Sequence, residues 1–254
     1  MCRPSGGCAV NRLDTLQMHY PETRFGGFSD VDGTMIFYQR IRALLRPSDV
    51  VLDIGCGRGA GTDDPVPARC RIRRLRGECS RVIGIDVDPQ ARDNPLVDEF
   101  RAVDCTRWPV SDESIDLCLA DWVLEHVAEP APFFSEVHRV LRPGGWFCAR
   151  TSNRWGYVAW ADKLIPNRAR RRVLRFASKN RTDQDIFPVL HRCNTASSLR
   201  RLLFSAGFDC VVYGYEAEPS YLGFSRHLYA LGVIWQRYSP RCLRNAIFAF
   251  GRKR

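Results

Sequence analysis

Residues 51–59 read Val-Leu-Asp-Ile-Gly-Cys-Gly-Arg-Gly, and this stretch constrains the fold more than any other. Val51, Leu52, Asp53 and Ile54 have the make-up of a buried strand. Gly55, Gly57 and Gly59 follow at alternate positions. A strand that runs into three glycines must turn sharply and let its backbone approach something closely. Glycine serves both needs because it has no Cβ and reaches positive φ at little cost. In open α/β sheets, ligands bind outside the carboxyl ends of the strands, and the first strand-to-helix turn is the usual seat.

The remainder of the chain agrees with an α/β domain. After the glycine turn, Arg81–Asp86, Phe100–Val103, residues 115–120 and Trp146–Thr151 read as strands. Between the last two lies a helical stretch, Pro130–Leu141, with Phe133, Phe134, Val137, Val140 and Leu141 on one face. Arg142-Pro143-Gly144-Gly145 stops it. Strand and helix in alternation predict a parallel sheet. Upstream, residues 35–45 have helical spacing and should pack beside the first strand, while residues 60–80 predict a broken or delayed helix after the glycines. Residues 1–19 are expected to be poorly ordered. With residues 20–34 they form an N-terminal lid segment (1–34), in which Tyr20, Phe25 and Phe28 turn inward. Beyond the core of residues 50–150, residues 152–192 form an insertion over the carboxyl edge. It holds Trp155, Tyr157, Trp160 and a basic run at 167–181 with Arg168, Arg170, Arg171, Arg172 and Arg175. The chain closes with a helix (194–207), a strand (208–216), an aromatic amphipathic helix (226–238) and a last, antiparallel strand (245–253). The 254 residues fit one domain.

Composition removes several classes. The apolar share of 45% suits a globular chain, and no apolar run approaches the length of a membrane span. The N-terminus lacks the apolar core of a signal peptide, so a cytoplasmic protein is expected. Eleven cysteines stand singly with no C-x-x-C pair, which argues for free thiols over disulfides or a structural metal. The net charge of +10 invites nucleic acid, anionic lipid or phosphorylated substrates, although a solvated basic surface explains it equally well.

Three acids define the ligand. Asp53 lies two residues before the first glycine, Asp86 ends the second strand and Asp104 ends the third. An acid at the end of strand two is placed to accept hydrogen bonds from ribose hydroxyls. The glycine spacing is G-x-G-x-G, whereas a dinucleotide fingerprint is G-x-G-x-x-G with a pyrophosphate on the helix N-terminus. Asp53 would repel a pyrophosphate and suit a cation. The ligand suggested is a nucleoside with a ribose and a cationic tail, a description S-adenosylmethionine fits.

At these residues the chain resembles the class I S-adenosylmethionine-dependent methyltransferases. VLDIGCGRG (51–59) resembles the family's first motif and VIGIDVDP (82–89) the second. Residues 101–127 resemble the adenine-contact and fourth motifs, and RVLRPGGWF (139–147) the element before strand five. The resemblance implies a Rossmann-like three-layer sandwich, with a mostly parallel seven-stranded sheet, an antiparallel last strand and the insertion after strand five. It also implies roles. Gly55, Cys56, Gly57 and Gly59 pass under the methionine and ribose, and Asp53 orients that loop and the methionine ammonium. Asp86 holds the ribose hydroxyls and Val87 lies against adenine. Asp104 accepts from the adenine amino group, and the Cys105 backbone N–H meets a ring nitrogen. Ala120 and Asp121 border the methionine tail. No metal is implied.

Other polar residues have plainer readings. Asp88 and Asp112 suit caps or turns, Cys56 and Cys105 suit sites needing a small residue, and Trp108 and Trp122 suit packing. Methyl transfer needs nucleophile and methyl held in line, and a base only if the nucleophile arrives protonated. His126, just past strand four, is the best-placed candidate base, ahead of Tyr20, Tyr157 and His191. A packed, hydrogen-bonded histidine is the plainer reading of it. The stretch after strand four has no N/D-P-P-Y/F, and no Pro-Cys nucleophile is present, which demotes nucleic-acid base acceptors. The pattern is most similar to methyltransferases of small molecules and of glycan or lipid precursors, acting on oxygen or nitrogen. The insertion and the aromatic helix would wall the acceptor, and the run at 167–181 would meet a phosphorylated or lipid-linked acceptor, or the inner face of an anionic membrane. The competing readings are an RNA or protein methyltransferase, favoured by charge alone, and a non-catalytic cofactor-binding module.

Overall fold

The computed structural model describes residues 12–104, 107–164 and 188–254. Seven strands form one sheet: β1 (Val50–Ile54), β2 (Arg81–Asp86), β3 (Glu99–Ala102), β4 (Ile115–Asp121), β5 (Leu141–Ser152), β6 (Phe208–Tyr215) and β7 (Ala246–Lys253). Their order is β3-β2-β1-β4-β5-β7-β6. The strands from β1 to β5 pair in parallel, and β7 runs antiparallel to both β5 and β6. The chain leaves β1 toward β2 on one side and later enters β4 on the other. The crevice beyond the carboxyl ends of β1 and β4 is therefore the point where strand order reverses, the usual ligand seat of such sheets.

Helices cover both faces. On one, α2 (Gly33–Leu44) and α3 (Pro67–Arg73) pack Phe37, Tyr38, Ile41 and Ile72 against Val51, Val82 and Leu117. On the other, α4 (Pro130–Val140) and α6 (Ala196–Ser205) pack Phe134, Val137, Leu199 and Leu203 against Leu52, Ile83 and Phe147. Asp32 starts α2 by accepting from the Thr34 and Met35 N–H groups, and Thr195 starts α6 by accepting from Ser198. Both satisfy orphan donors of the first turn. Among the described residues there are three further helices, α1 (Arg12–His19), α5 (Tyr157–Leu164) and α7 (Arg226–Tyr238). The last spans the residues its apolar periodicity predicts.

The sequence expectations need correction at the N-terminal end. Residues 12–19 form α1, whose Leu16 packs beside Tyr20, Tyr229 and Val233; the local polarity hid a partner supplied by a helix two hundred residues away. Tyr20 is buried as expected, but Phe25 is exposed, because the left-handed Gly26 and Gly27 that follow it reverse the chain at the surface. The delayed helix after the glycine turn is real. A short 3-10 turn (Ala60–Asp63) precedes α3, which begins only at Pro67, a residue suited to the first helical turn.

Candidate active site

The glycine turn is held from below. The N–H groups of Gly55 and Cys56 donate to the Ile85 carbonyl at 2.8 and 3.2 Å. Gly57 N–H donates to Asp86 Oδ2 at 2.8 Å, and Asp88 N–H to Asp86 Oδ1 at 2.8 Å. Asn94 Nδ2 donates to the Cys56 and Gly57 carbonyls at 2.8 and 3.1 Å. Asp86 and Asn94 thus hold the loop, a task the resemblance assigned to Asp53. Asn94 escaped the sequence reading, and its only signal was the Asn-Pro turn dipeptide.

Gly57 has φ +56°, and a Cβ there would meet nothing within 4 Å. Gly59 has φ +82°, and a Cβ there would fall 2.8 Å from Asn94 and Pro95. One glycine faces open space over the sheet edge, and the other allows close packing beneath it. The Cys56 thiol sits on Gly84 of β2, and burial beside Asp53 and Asp86 pushes it up to about 12, which leaves it a neutral space-filler.

Three acids converge at this edge, though not the three that strand ends alone suggest. Asp53 is half-buried and accepts no hydrogen bond among the described residues. Burial, with the charges of Asp121 and Asp86, pushes its carboxyl up to about 7. Asp121 is held by Arg150, whose Nε and Nη2 each donate to it at 2.7 Å, and by the Tyr38 hydroxyl at 3.1 Å. Asp104, by contrast, lies two residues beyond β3 on the exposed surface, and Val87 is exposed beside Asp86. The Ala120 side chain is in the core, so only its backbone can border a ligand. Cys105 and the basic run at 167–181 lie outside the described residues.

Arg150 is the largest omission of the sequence reading. Its guanidinium is buried, donates to Thr34 Oγ1 at 3.0 Å, and lies over the rings of Phe37 and Trp122 at 5.2 and 5.1 Å. An arginine inside the apolar run WFCART was its signal, since buried cations need partners. Trp122, read as packing, instead stands 40% exposed with φ +61°. A left-handed conformation is costly for a bulky residue and recurs at functional sites. Trp108 does pack, edge-on against Phe133. Asp88 caps the turn at Pro89 and Asp112 pairs with Arg139, as expected of them.

Beyond β4 and β5 lies a second polar group. Glu125 is buried and accepts from Thr151 Oγ1 at 2.7 Å, and Asn194 Nδ2 donates to the same hydroxyl at 2.7 Å. Burial pushes the Glu125 carboxyl up, opposed by the Thr151 hydrogen bond and by His126. The Glu125 carbonyl accepts from Leu190 and His191 N–H, and His191 Nε2 meets Ser152 Oγ at 3.0 Å. His126 Nδ1 lies 3.0 Å from the Pro188 carbonyl. A carbonyl only accepts, so Nδ1 carries the proton and Nε2 is the basic nitrogen of the neutral ring. Of the weaker candidates, Tyr20 is sealed in the packing of α1 on α7 and Tyr157 is held by Asn245.

An unpaired carboxylate between two others, beside an open glycine turn, is chemically incomplete. It fits a ligand that brings positive charge, and the second lone pair on each Asp86 oxygen remains for hydroxyl donors. Comparisons with known proteins agree. Residues 52–149 match the family model described as a methyltransferase domain. A "probable S-adenosylmethionine-dependent methyltransferase" of Mycolicibacterium smegmatis is 36% identical over 180 residues, 68% of this chain and 57% of that protein. The ubiquinone biosynthesis O-methyltransferase of Agrobacterium fabrum is 37% identical over 105 residues, 41% of each chain. Among solved structures, a SAM-dependent methyltransferase of Methanosarcina mazei superposes with a TM-score of 0.52 at 20% identity, covering 84% of this chain and 96% of that one. The chain spans about half the length of the first curated relatives it matches.

Proposed function

The chain belongs, through residues 52–149, to the class I S-adenosylmethionine-dependent methyltransferases, and we propose that it moves a methyl group to an oxygen or nitrogen of a small-molecule or glycan- or lipid-precursor acceptor. The single observation that carries the reading is Asp53, a carboxylate pushed up to about 7 with no cation paired to it among the described residues.

When bound, S-adenosylmethionine supplies a methyl group already activated by its sulfonium. The chain's own residues would do the following. Asp53 holds positive charge over the carboxyl ends of β1 and β4. Asp86 accepts from ribose hydroxyls while keeping Gly57 in place. Val87 offers an apolar face to adenine, and Asp104 and Cys105 take its polar edge. The backbone of Gly55, Cys56, Gly57 and Gly59 passes beneath, and Ala120 and Asp121 close the far side. His126, with its proton held on Nδ1, accepts the acceptor's proton at Nε2. Small-molecule acceptors are favoured by the name of the Agrobacterium relative, and by the demotion of nucleic-acid motifs after β4.

Calorimetry against S-adenosylhomocysteine tests this with Asp86→Ala and Gly57→Val. Each should weaken binding at least tenfold, since a hydrogen bond to a charged group is worth roughly 1.5–3 kcal/mol. Undiminished binding in both overturns the reading.

A further inference from the structure

The aromatic helix α7 has two apolar faces, and among the described residues only one of them is covered. Tyr229, Gly232 and Val233 point inward. Leu228, Leu231, Ile234 and Tyr238 recur three, three and four residues apart on the opposite side, and stand 40, 61, 55 and 79% exposed. A helix apolar all round is normally a buried one. The exposed stripe does not end with the helix. Tyr221 and Phe224 just before it are exposed, as are Leu13 and Met18 on α1, which packs against α7. On α5, the exposed Trp160 stacks with Trp155 at 6.1 Å, and Tyr157 meets Trp235 of α7 edge-on. Apolar surfaces of this extent mark an interface.

Charge identifies the occupant. From Pro219 to Arg254 the chain contains no aspartate or glutamate and seven arginines or lysines. Arg226, Arg237 and Arg241 are exposed along and just after α7, and Arg154 lies over the Trp155 ring. The acids just before this segment are engaged, Glu216 by Asn245 and Glu218 by Ser29 and Arg69; α1 brings one, Asp14, and α5 brings Asp162 next to Lys163. A second copy of the chain would set these arginines against their own kind. A surface that is apolar within and anionic at its boundary accepts both halves of the pattern, with tryptophan and tyrosine at the level where one end is apolar and the other wet.

We propose that the outer face of α7, with Trp160 of α5 and Trp155 just before it, seats the protein on an anionic lipid surface. The contact is in-plane and shallow. Leu228, Leu231, Ile234 and Tyr238 enter the headgroup boundary while the flanking arginines meet lipid phosphates. No helix among the described residues is long and apolar enough to cross a membrane.

Sedimentation of the full chain with vesicles of phosphatidylcholine alone, or mixed with phosphatidylglycerol, tests this. The protein should partition onto the mixed vesicles, less so at high salt, with a blue shift of tryptophan emission. Replacing Leu231 and Ile234 together by serine should lower partitioning about a hundredfold, at roughly tenfold per side chain. Both are already exposed, so thermal unfolding should stay at the wild-type midpoint. Arg226→Gln with Arg237→Gln should remove the preference for anionic lipid. Absence of partitioning overturns the proposal. So does partitioning that survives the serine pair, which would trace to basic charge alone. A concentration-dependent dimer that the serine pair dissolves, without vesicle binding, would make this face a contact between copies and overturn it as well.

Discussion

Asp121 and Arg150 face each other in register at the ends of β4 and β5, joined by two parallel hydrogen bonds of 2.7 Å. The pair sorts the charges of the site. Of the three acids at this edge, Asp121 is neutralised by Arg150 and Asp86 is held by two backbone N–H groups, which leaves Asp53 as the one that lacks a partner among the described residues. Arg150 also ties the sheet to α2 through Thr34, and its guanidinium lies against the ring of the left-handed Trp122.

Breaking that pair from one side strands a buried charge. Arg150→Met should cost about 3–5 kcal/mol in urea unfolding. Arg150→Lys keeps the charge but cannot form the fork, so it should lose less. Arg150→Met combined with Asp121→Asn should lose less than the sum of the single changes. A double change that is strictly additive would show that the two side chains are not coupled in the folded protein.

Asp53 makes the site sensitive to pH. Its carboxyl titrates near 7 in the free protein, against 3.8 unperturbed, mainly through burial. The folded state therefore holds a proton that the unfolded chain has lost, and the free protein should lose stability as pH rises from about 4 to about 7. A cationic ligand has the opposite dependence, because it favours ionised Asp53. Cofactor affinity should climb with pH toward 7 and level off above it. Asp53→Asn should flatten both profiles and leave the free protein more stable at pH 8. Calorimetry and denaturant titrations at pH 5 and pH 8 read both slopes, and parallel slopes would remove Asp53 from the site.

How much of this was legible follows from the range of each signal. The strand ending in glycines, the alternation of strand and helix, the delayed α3 and the bounds of α7 are local patterns, and local periodicity reports them well. Asp53 and Asp86 were legible because strand ends that lie parallel share one edge. The Asp121–Arg150 fork was not, since its partners are 29 residues apart and meet only through the pairing of β4 with β5. Nor was the network of Glu125, Thr151 and Asn194, although Glu125 stands beside the histidine that was singled out. Trp122 departs from the packing its hydrophobic character predicts: its N–H donates to the Arg150 carbonyl while its indole stands 40% exposed.

The glycines of the turn should separate stability from binding. Both occupy the left-handed region, where a side chain costs roughly 1–2 kcal/mol. Gly59→Ala adds a clash with Asn94 and Pro95 at 2.8 Å and disturbs the amide that holds the loop. It should be the more destabilising of the two in thermal unfolding. Gly57→Ala projects its methyl into open space. It should unfold closer to wild type yet show the larger loss of S-adenosylhomocysteine affinity. The reverse order in the two measurements would place the ligand away from the turn.

His126 Nδ1 meets the Pro188 carbonyl at 3.0 Å. That bond selects the neutral tautomer whose Nε2 can take a proton, and positioned bases of this kind contribute about 100- to 10,000-fold to a rate. His126→Ala should therefore lower turnover within that range while cofactor affinity stays at the wild-type value, because no cofactor role falls to this residue. His126→Asn preserves a side-chain donor toward Pro188 without a basic nitrogen. If the asparagine variant is as slow as the alanine, the ring acts as a base. If asparagine restores turnover, the residue serves only to hold the segment at Pro188, and proton removal falls to another group.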